Sequence, residues 1–433
     1  MARLRGGVRF FGAGIVDQVV IAAANAGNSL LALLLVSPNG RAGVLALALV
    51  VGYVVVSLNR AFVGEVLLAL AARFREESAA RTRLVSDGLT AASIVGLLAA
   101  ALLTVVWGVG AVTGGKLALP DLVWVAVVLP FVLLHDTARY SYLADRAPQK
   151  ALVIDLTFVA AQGLAVLVVV LVGVTPARLV LCWGVGAVAG FGLFMTRTRQ
   201  VPWRGNARRW FGETRFLSGW FTATAVIGQL HVLAVNFLIG GALSRSAVSA
   251  FRFIQTTVLQ PVQNLNQSLM SLLVPRVSER AGAAERDPAA AVALRREVLR
   301  GAAILGCLAV LLVAVGGPIS QRILPHIERY AEAAPLAWPM LIQGGIYMVQ
   351  APFTAAMRGM HRASMQFLQY VLFSAASLTG LVLGANGWGL IGAGWGLATG
   401  SLIGLAITVA FYFYALRWLG HRDARVAALD ATG

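Results

Sequence analysis

Twelve apolar stretches of about twenty residues each, separated by short loops, occupy almost the whole of this 433-residue chain. They fall at 13–36, 43–70, 88–110, 122–144, 151–172, 177–196, 216–240, 247–274, 300–324, 335–357, 364–384 and 388–414. A hydrocarbon core about 30 Å thick takes roughly 20 apolar residues to cross as a helix. Within lipid every backbone N–H and C=O must be satisfied inside the protein, so segments of this length must be helical. The fold class expected is therefore all-α: a polytopic membrane protein with about 12 transmembrane helices. With 59% hydrophobic and 12% charged residues, almost no mass remains for a soluble domain.

The formal charge of +17 would suggest a nucleic-acid partner in a soluble chain. The distribution of that charge argues for a different origin. Of the 35 lysines and arginines, 26 fall in loops on the side that holds the N-terminus, six on the opposite side and three inside spans. Basic loops are retained in the cytoplasm, so both termini are expected inside, and no nucleic-acid partner is expected. The anionic lipids of the inner leaflet are the partners this charge implies. The first apolar stretch is full-length and lacks a small-residue cleavage site, so a removable signal peptide is not expected.

The basic stretch 196–215 divides the chain into two halves with the same layout. Each half runs two spans, an inner loop, two spans, an inner loop, two spans. The expected units are an N-terminal six-helix lobe at 1–205, a C-terminal six-helix lobe at 206–420 and a cytoplasmic tail at 421–433. Six spans per half give both lobes the same orientation, a parallel repeat with a pseudo-two-fold along the membrane normal. The connections ADRAPQKAL (144–152) and GMHRASMQF (359–367) are comparably short and basic.

Polar residues inside the spans carry the functional information, because a charge at the centre of a span costs roughly 2.5–3.5 kcal/mol. Arg60, Arg139 and Arg252 lie within spans and Arg358 at the inner end of one. Asp17, Glu65, Asp136 and Asp155 are the acids, with His135 and His231 at similar depth. Helical spacing gathers Arg252, Gln255, Gln263 and Asn266 on one face of span eight, which Pro261 interrupts. It gathers Ser218, Thr222, Gln229 and Asn236 on span seven, and Gln343, Tyr347, Gln350, Thr354 and Arg358 on span ten. Asp17, Asn25 and Asn28 share one side of span one; Tyr53, Ser57 and Arg60 share one side of span two. Such stripes are expected to line a wet cavity, the alternative being hydrogen bonds between neighbouring helices. Asp136 and Arg139, at i and i+3, can neutralise each other. Arg60 and Arg252 have no carboxylate on the same face within a turn. Interfacial solvation accounts for Asp155, and His231 reads as a packing residue.

No zinc-binding, nucleophile-elbow or P-loop pattern occurs, and Cys182 and Cys307 are isolated within spans. No metal, no cofactor and no enzymatic activity are expected. The glycine clusters Gly184–Gly192 and Gly387–Gly400 lie in apolar helices and read as close helix packing.

Three stretches then carry a resemblance: GAGIVDQVVIAAANAGNSLLALLLVSPNGRAGVLALALVVGYV, SLNRAFVGEVLL at 57–68, and FRFIQTTVLQPVQNLNQSLMSLLVPRVSER at 251–280. With the twelve-span, two-lobe layout, the chain resembles the polysaccharide or O-antigen exporters of the multidrug/oligosaccharidyl-lipid/polysaccharide flippase superfamily. The resemblance implies a bacterial cytoplasmic membrane protein that moves an isoprenoid-pyrophosphate-linked glycan from inner to outer leaflet by alternating access. It implies a cationic cavity formed largely by spans one, two, seven and eight, with Arg60 and Arg252 facing it, and other polysaccharide-assembly proteins as partners. Arginine grips phosphate bidentately, which suits such a cargo. Substrate contacts are expected from Arg60, Arg252, Arg139, Arg358, Asn25, Asn28, Gln229, Asn236, Gln255, Gln263 and Asn266. Asp17, Glu65 and Asp136 are candidates for proton or cation coupling. A cation-coupled multidrug exporter of the same superfamily is the second reading, with Asp17 as its best residue. A membrane glycan polymerase or glycosyltransferase is the third, disfavoured by outer loops that hold only Asp121, Glu328 and Glu332 as carboxylates.

Overall fold

A computed structural model describes residues 16, 20, 41–71, 77–113, 120–284 and 288–430. Asp17, Asn25 and Asn28, and with them all of the expected first span but residues 16 and 20, lie outside the described residues. The described residues form eleven long helices, here α1–α11, two short 3-10 helices (Leu324–His326 and Glu328–Leu336) and no strand. The long helices are α1 (41–70), α2 (Ser78–Thr113), α3 (Leu122–Ala144), α4 (Pro148–Val172), α5 (Pro176–Thr198) and α6 (Ala207–Ala242). There follow α7 (245–284), α8 (Pro288–Ile323), α9 (Ala337–Gly359), α10 (363–387) and α11 (390–430). These correspond in order to the second through twelfth expected spans. The chain is an all-α, multi-pass membrane protein. Helices α2, α6 and α8 each have 36 residues, about 54 Å of rise, so their ends extend beyond a 30 Å core.

Sequence signals set several boundaries. Thr175 caps α5 by accepting the Arg178 N–H, with Pro176 in the first turn, and Ser244 caps α7 by accepting the Ala247 N–H. Asn206 caps α6 by accepting the Arg209 N–H at 3.1 Å. Helices α10 and α11 are separated at Trp388 and Gly389, whose φ of 62° is one that glycine adopts without steric cost.

Packing divides the chain into two compact units, Met1–Thr222 and Ala223–Gly433. In the first, α3 is central and packs against α1, α2, α4 and α5. Its Val125, Leu129 and Leu133 join Leu45, Phe158 and Trp183 in a buried apolar core. In the second, α9 is central and packs against α7, α8 and the α10–α11 hairpin. Leu336, Met340 and Leu341 meet Ile239, Phe251, Ile254 and Leu381 there. The outer faces of α2, α4 and α8 expose residues such as Leu98, Val105, Leu164, Leu171, Val310 and Leu311. Exposure of this kind costs nothing against lipid tails.

The central helices end alike, in the two comparably short and basic connections. After α3, Arg146 takes a left-handed φ of 55° and the Ala147 N–H donates to the Tyr142 carbonyl at 2.9 Å. After α9, His361 takes a φ of 57° and the Arg362 N–H donates to the Met357 carbonyl at 2.9 Å. A side chain in that conformation costs about 1–2 kcal/mol. The six-to-one bond that closes each turn satisfies a terminal carbonyl of the helix.

Several glycines of the two clusters pack closely, although a Cβ on Gly192 or Gly387 would meet nothing within 4 Å. A Cβ on Gly190 would fall 2.6 Å from His135, and one on Gly384 would fall 2.0 Å from the Gly392 carbonyl. The α10–α11 hairpin therefore packs backbone against backbone.

Candidate functional site

Two helices that carry the sequence-selected arginines are not regular. In α1, residues Arg60–Gly64 form a π turn; in α7, residues Gln255–Leu259 form another. Such turns add a residue to the helix, rotate the side chains beyond it and cluster at functional sites. In α7 the cause is Pro261, which has no N–H to donate and crowds the carbonyl four residues earlier. In α1, Gly64 lies against the Tyr140 ring, which a Cβ would approach to 2.9 Å.

In the first unit the charges pair between helices. Arg60 donates through Nε and Nη2 to Asp136 on α3, with its shortest bond at 2.8 Å. The neighbouring Asn59 donates to Thr137 at 3.3 Å. Arg139 donates through Nε to Asp155 on α4 at 2.7 Å, with the two side chains 2% and 0% exposed. His135 Nε2 lies 3.2 Å from the other Asp155 oxygen, and its ring stacks on Phe158. Three sequence expectations change here. Asp136 does not neutralise Arg139, Arg60 is not without a carboxylate, and Asp155 is not solvated at an interface. The reason is common to all three: α3 is surrounded, so each buried charge must meet a partner on the helix it packs against. Glu65 opens the short helical segment just beyond the π turn of α1.

In the second unit the polar groups bonded to the central helix α9 are mostly uncharged. Gln343 donates to Tyr347 and Ser401, Gln350 donates to Thr408, and Arg358 donates to Gln366. The stripe on α9 thus bonds neighbouring helices, the alternative to a wet lining, because α9 is the central helix of its unit. His231 packs its ring 5.3 Å from Phe373, the packing role expected of it.

Helix α7 is different. Phe251 and Ile254 point into the core, while Arg252, Thr256, Thr257, Gln260 and Gln267 are exposed and Gln255, Gln263 and Asn266 half-buried. Gln229 and Asn236, on α6, are also half-buried. Although 40 residues long, α7 is too polar to be counted among the apolar spans. Arg252 Nε donates to Asn236 Oδ1 at 2.6 Å, and Asn236 Nδ2 donates to the Val232 carbonyl. Among the described residues, no carboxylate pairs with Arg252.

Sequence reasoning passed over one cluster. Asp87, 2% exposed on α2, accepts the Asn206 N–H at 2.7 Å and Nε and Nη2 of Arg209 at 2.6 and 2.7 Å. Thr90 donates to the Pro202 carbonyl, and Trp210 is buried beside Gly88. The basic linker is thereby fastened to α2. An acid at the edge of span three, opposite a run of arginines, was the available signal. Among the described residues, no group of three or more His, Cys, Asp or Glu side chains could hold a metal ion.

No family model matches the chain, and no curated protein matches it in sequence. Solved structures do match. A point mutant of the Vibrio cholerae MATE transporter VcmN aligns with a TM-score of 0.80 at 13% identity, over 94% of this chain and 96% of that one. A MOP superfamily transporter from Pyrococcus furiosus, described as having a binding pocket of reverse polarity, aligns with a TM-score of 0.78 at 10% identity. That alignment covers 95% and 96% of the two chains. The eukaryotic MATE transporter AtDTX14 gives a TM-score of 0.74 at 14% identity, covering 96% and 97%. The chain therefore has the fold of the MATE transporters.

Proposed function

We propose that the protein is a membrane transporter of this fold that translocates an anionic, lipid-linked cargo, an isoprenoid-pyrophosphate-linked oligosaccharide, by alternating access. It would reside in a bacterial cytoplasmic membrane with both termini inside, working beside other polysaccharide-assembly proteins. The transporter reading rests on the fold. The cargo reading rests on Arg252, a guanidinium at span depth whose partner is an amide. An opposite unit charge within 4 Å gains about 4 kcal/mol at an effective dielectric near 20, so such a group selects for an anion and repels a cation. The exposed amides and hydroxyls of α7 suit sugar hydroxyls, and lipid would leave them unsatisfied.

Roles for Arg60 and Arg139 are secondary in this reading, because both are already paired with carboxylates. Asp136 and Glu65 remain candidates for ion coupling. The fold suits a cation-coupled multidrug exporter equally well, and that is the second reading.

Export measured in a deletion strain separates the two. Arg252→Gln, expressed at normal levels, abolishes restoration of surface polysaccharide, and Arg252→Lys restores it in part. Resistance to cationic dyes that survives Arg252→Gln, without any polysaccharide phenotype, would establish the drug exporter instead. An impermeant thiol reagent added outside labels a cysteine at Asn386 but not one at Ser78 or Ala283.

A further inference from the structure

At span depth, Arg60 and Arg139 in the first unit and Arg252 in the second are held by the same geometry and opposite chemistry. In the first, the Nε of Arg60 and the Nε of Arg139 each donate to a carboxylate, Asp136 and Asp155. In the second, the Nε of Arg252 donates to Asn236, whose oxygen has the same reach as an aspartate oxygen and carries no formal charge. Asn236 is itself held. Its Nδ2 donates to the Val232 carbonyl one turn back on α6, so its Oδ1 is the atom turned to α7. Beneath this pair Val235, Ile239, Phe251 and Ile254 are buried, which fixes the faces of both helices. Among the described residues, Nε is the nitrogen of Arg252 bonded to protein, so Nη1 and Nη2 are presented to whatever contacts this face.

We infer that Asn236 is a positioning residue: it orients the Arg252 guanidinium through Nε while leaving its charge uncancelled, so that the terminal nitrogens can grip a diphosphate. An aspartate at 236 would hold the side chain in the same place and neutralise it, as Asp136 does to Arg60. This inference rests on the anionic-cargo reading and adds to it the reason an amide stands opposite Arg252. The fork of two terminal N–H groups matches two phosphate oxygens, a geometry that a lysine ammonium lacks.

The test uses the full-length protein in nanodiscs of neutral phosphatidylcholine, so that lipid phosphate carries no net negative charge into the assay. Inorganic pyrophosphate is titrated calorimetrically at low ionic strength. Asn236→Asp lowers its affinity about 100-fold, the scale of cancelling one unit charge in a half-wet site. Asn236→Ala, which keeps the charge and loses the aim, lowers it only about fivefold, the scale of one lost hydrogen bond. Asn236→Asp also melts at or above the wild-type temperature, since an ion pair has been gained. A purely structural Asn236 gives the reverse order, with the isosteric Asp milder than Ala.

Wild-type affinity in Asn236→Asp, with binding lost in Arg252→Gln, overturns the positioning role and leaves the cargo reading standing. Wild-type affinity in Arg252→Gln, or no binding by the wild type, overturns both. Should the Asp variant fail to fold, wild-type affinity in Asn236→Ala suffices to overturn the positioning role.

Discussion

Arg60 and Asp136, 76 residues apart on α1 and α3, are joined by three hydrogen bonds of 2.8–3.1 Å. This fork couples the π turn of α1 to the central helix of its unit. The Arg60 side chain is 29% exposed and that of Asp136 only 7%. Removing one partner leaves a largely buried charge unpaired. Asp136→Asn and Arg60→Gln should each destabilise by about 2–3 kcal/mol, below the full cost of an interior pair because Arg60 is part-exposed. The double variant should lose less than the sum of the two. Thermal unfolding of the four proteins in detergent checks this, and additive losses would mean that the fork carries no coupling. At the 0%-exposed Asp155, shared by Arg139 and His135, Asp155→Asn should cost more, about 3–5 kcal/mol.

The helical content and the order of the spans were legible because hydropathy and length are local properties. The turns after α3 and α9 were legible as comparably short, basic connections, and they share one backbone conformation. Partner choice was not legible. Asp136 and Arg139 lie one turn apart, and spacing alone pairs them; only packing reveals that each faces a different neighbour, α1 and α4. The α9 stripe failed for a related reason. Periodicity says that Gln343, Tyr347 and Gln350 share a face, but not whether that face meets water or the serines and threonines of α10–α11. Arg252 differs because its lack of a nearby carboxylate in sequence is also its state among the described residues.

The linker between the halves depends on Asp87, which satisfies the Asn206 N–H and two nitrogens of Arg209 at once. Asp87→Asn keeps the size and removes the charge, so the Arg209 contacts should weaken while Asn206 keeps an acceptor. Limited proteolysis should then cut at 199–206 at least several times faster than in the wild type, with little change in the melting of the rest. An unchanged cleavage rate would show that Thr90 and the buried Trp210 suffice to hold the linker.

Pro261 sets the register between Arg252 and the amides that follow it on α7. It removes a helical N–H, and the chain answers by widening into the π turn Gln255–Leu259. Pro261→Ala restores the donor and removes the clash, which should stabilise the helix by about 1–3 kcal/mol. If the extra residue of the turn is then absorbed, Arg252 rotates by about 100° relative to Gln263 and Asn266. The expected outcome is a higher melting temperature together with reduced glycan export. That combination separates a register effect from simple damage, since a damaging substitution lowers both. Full export with a raised melting temperature would show that the π turn is not what brings Arg252 and the amides of α7 to a common face.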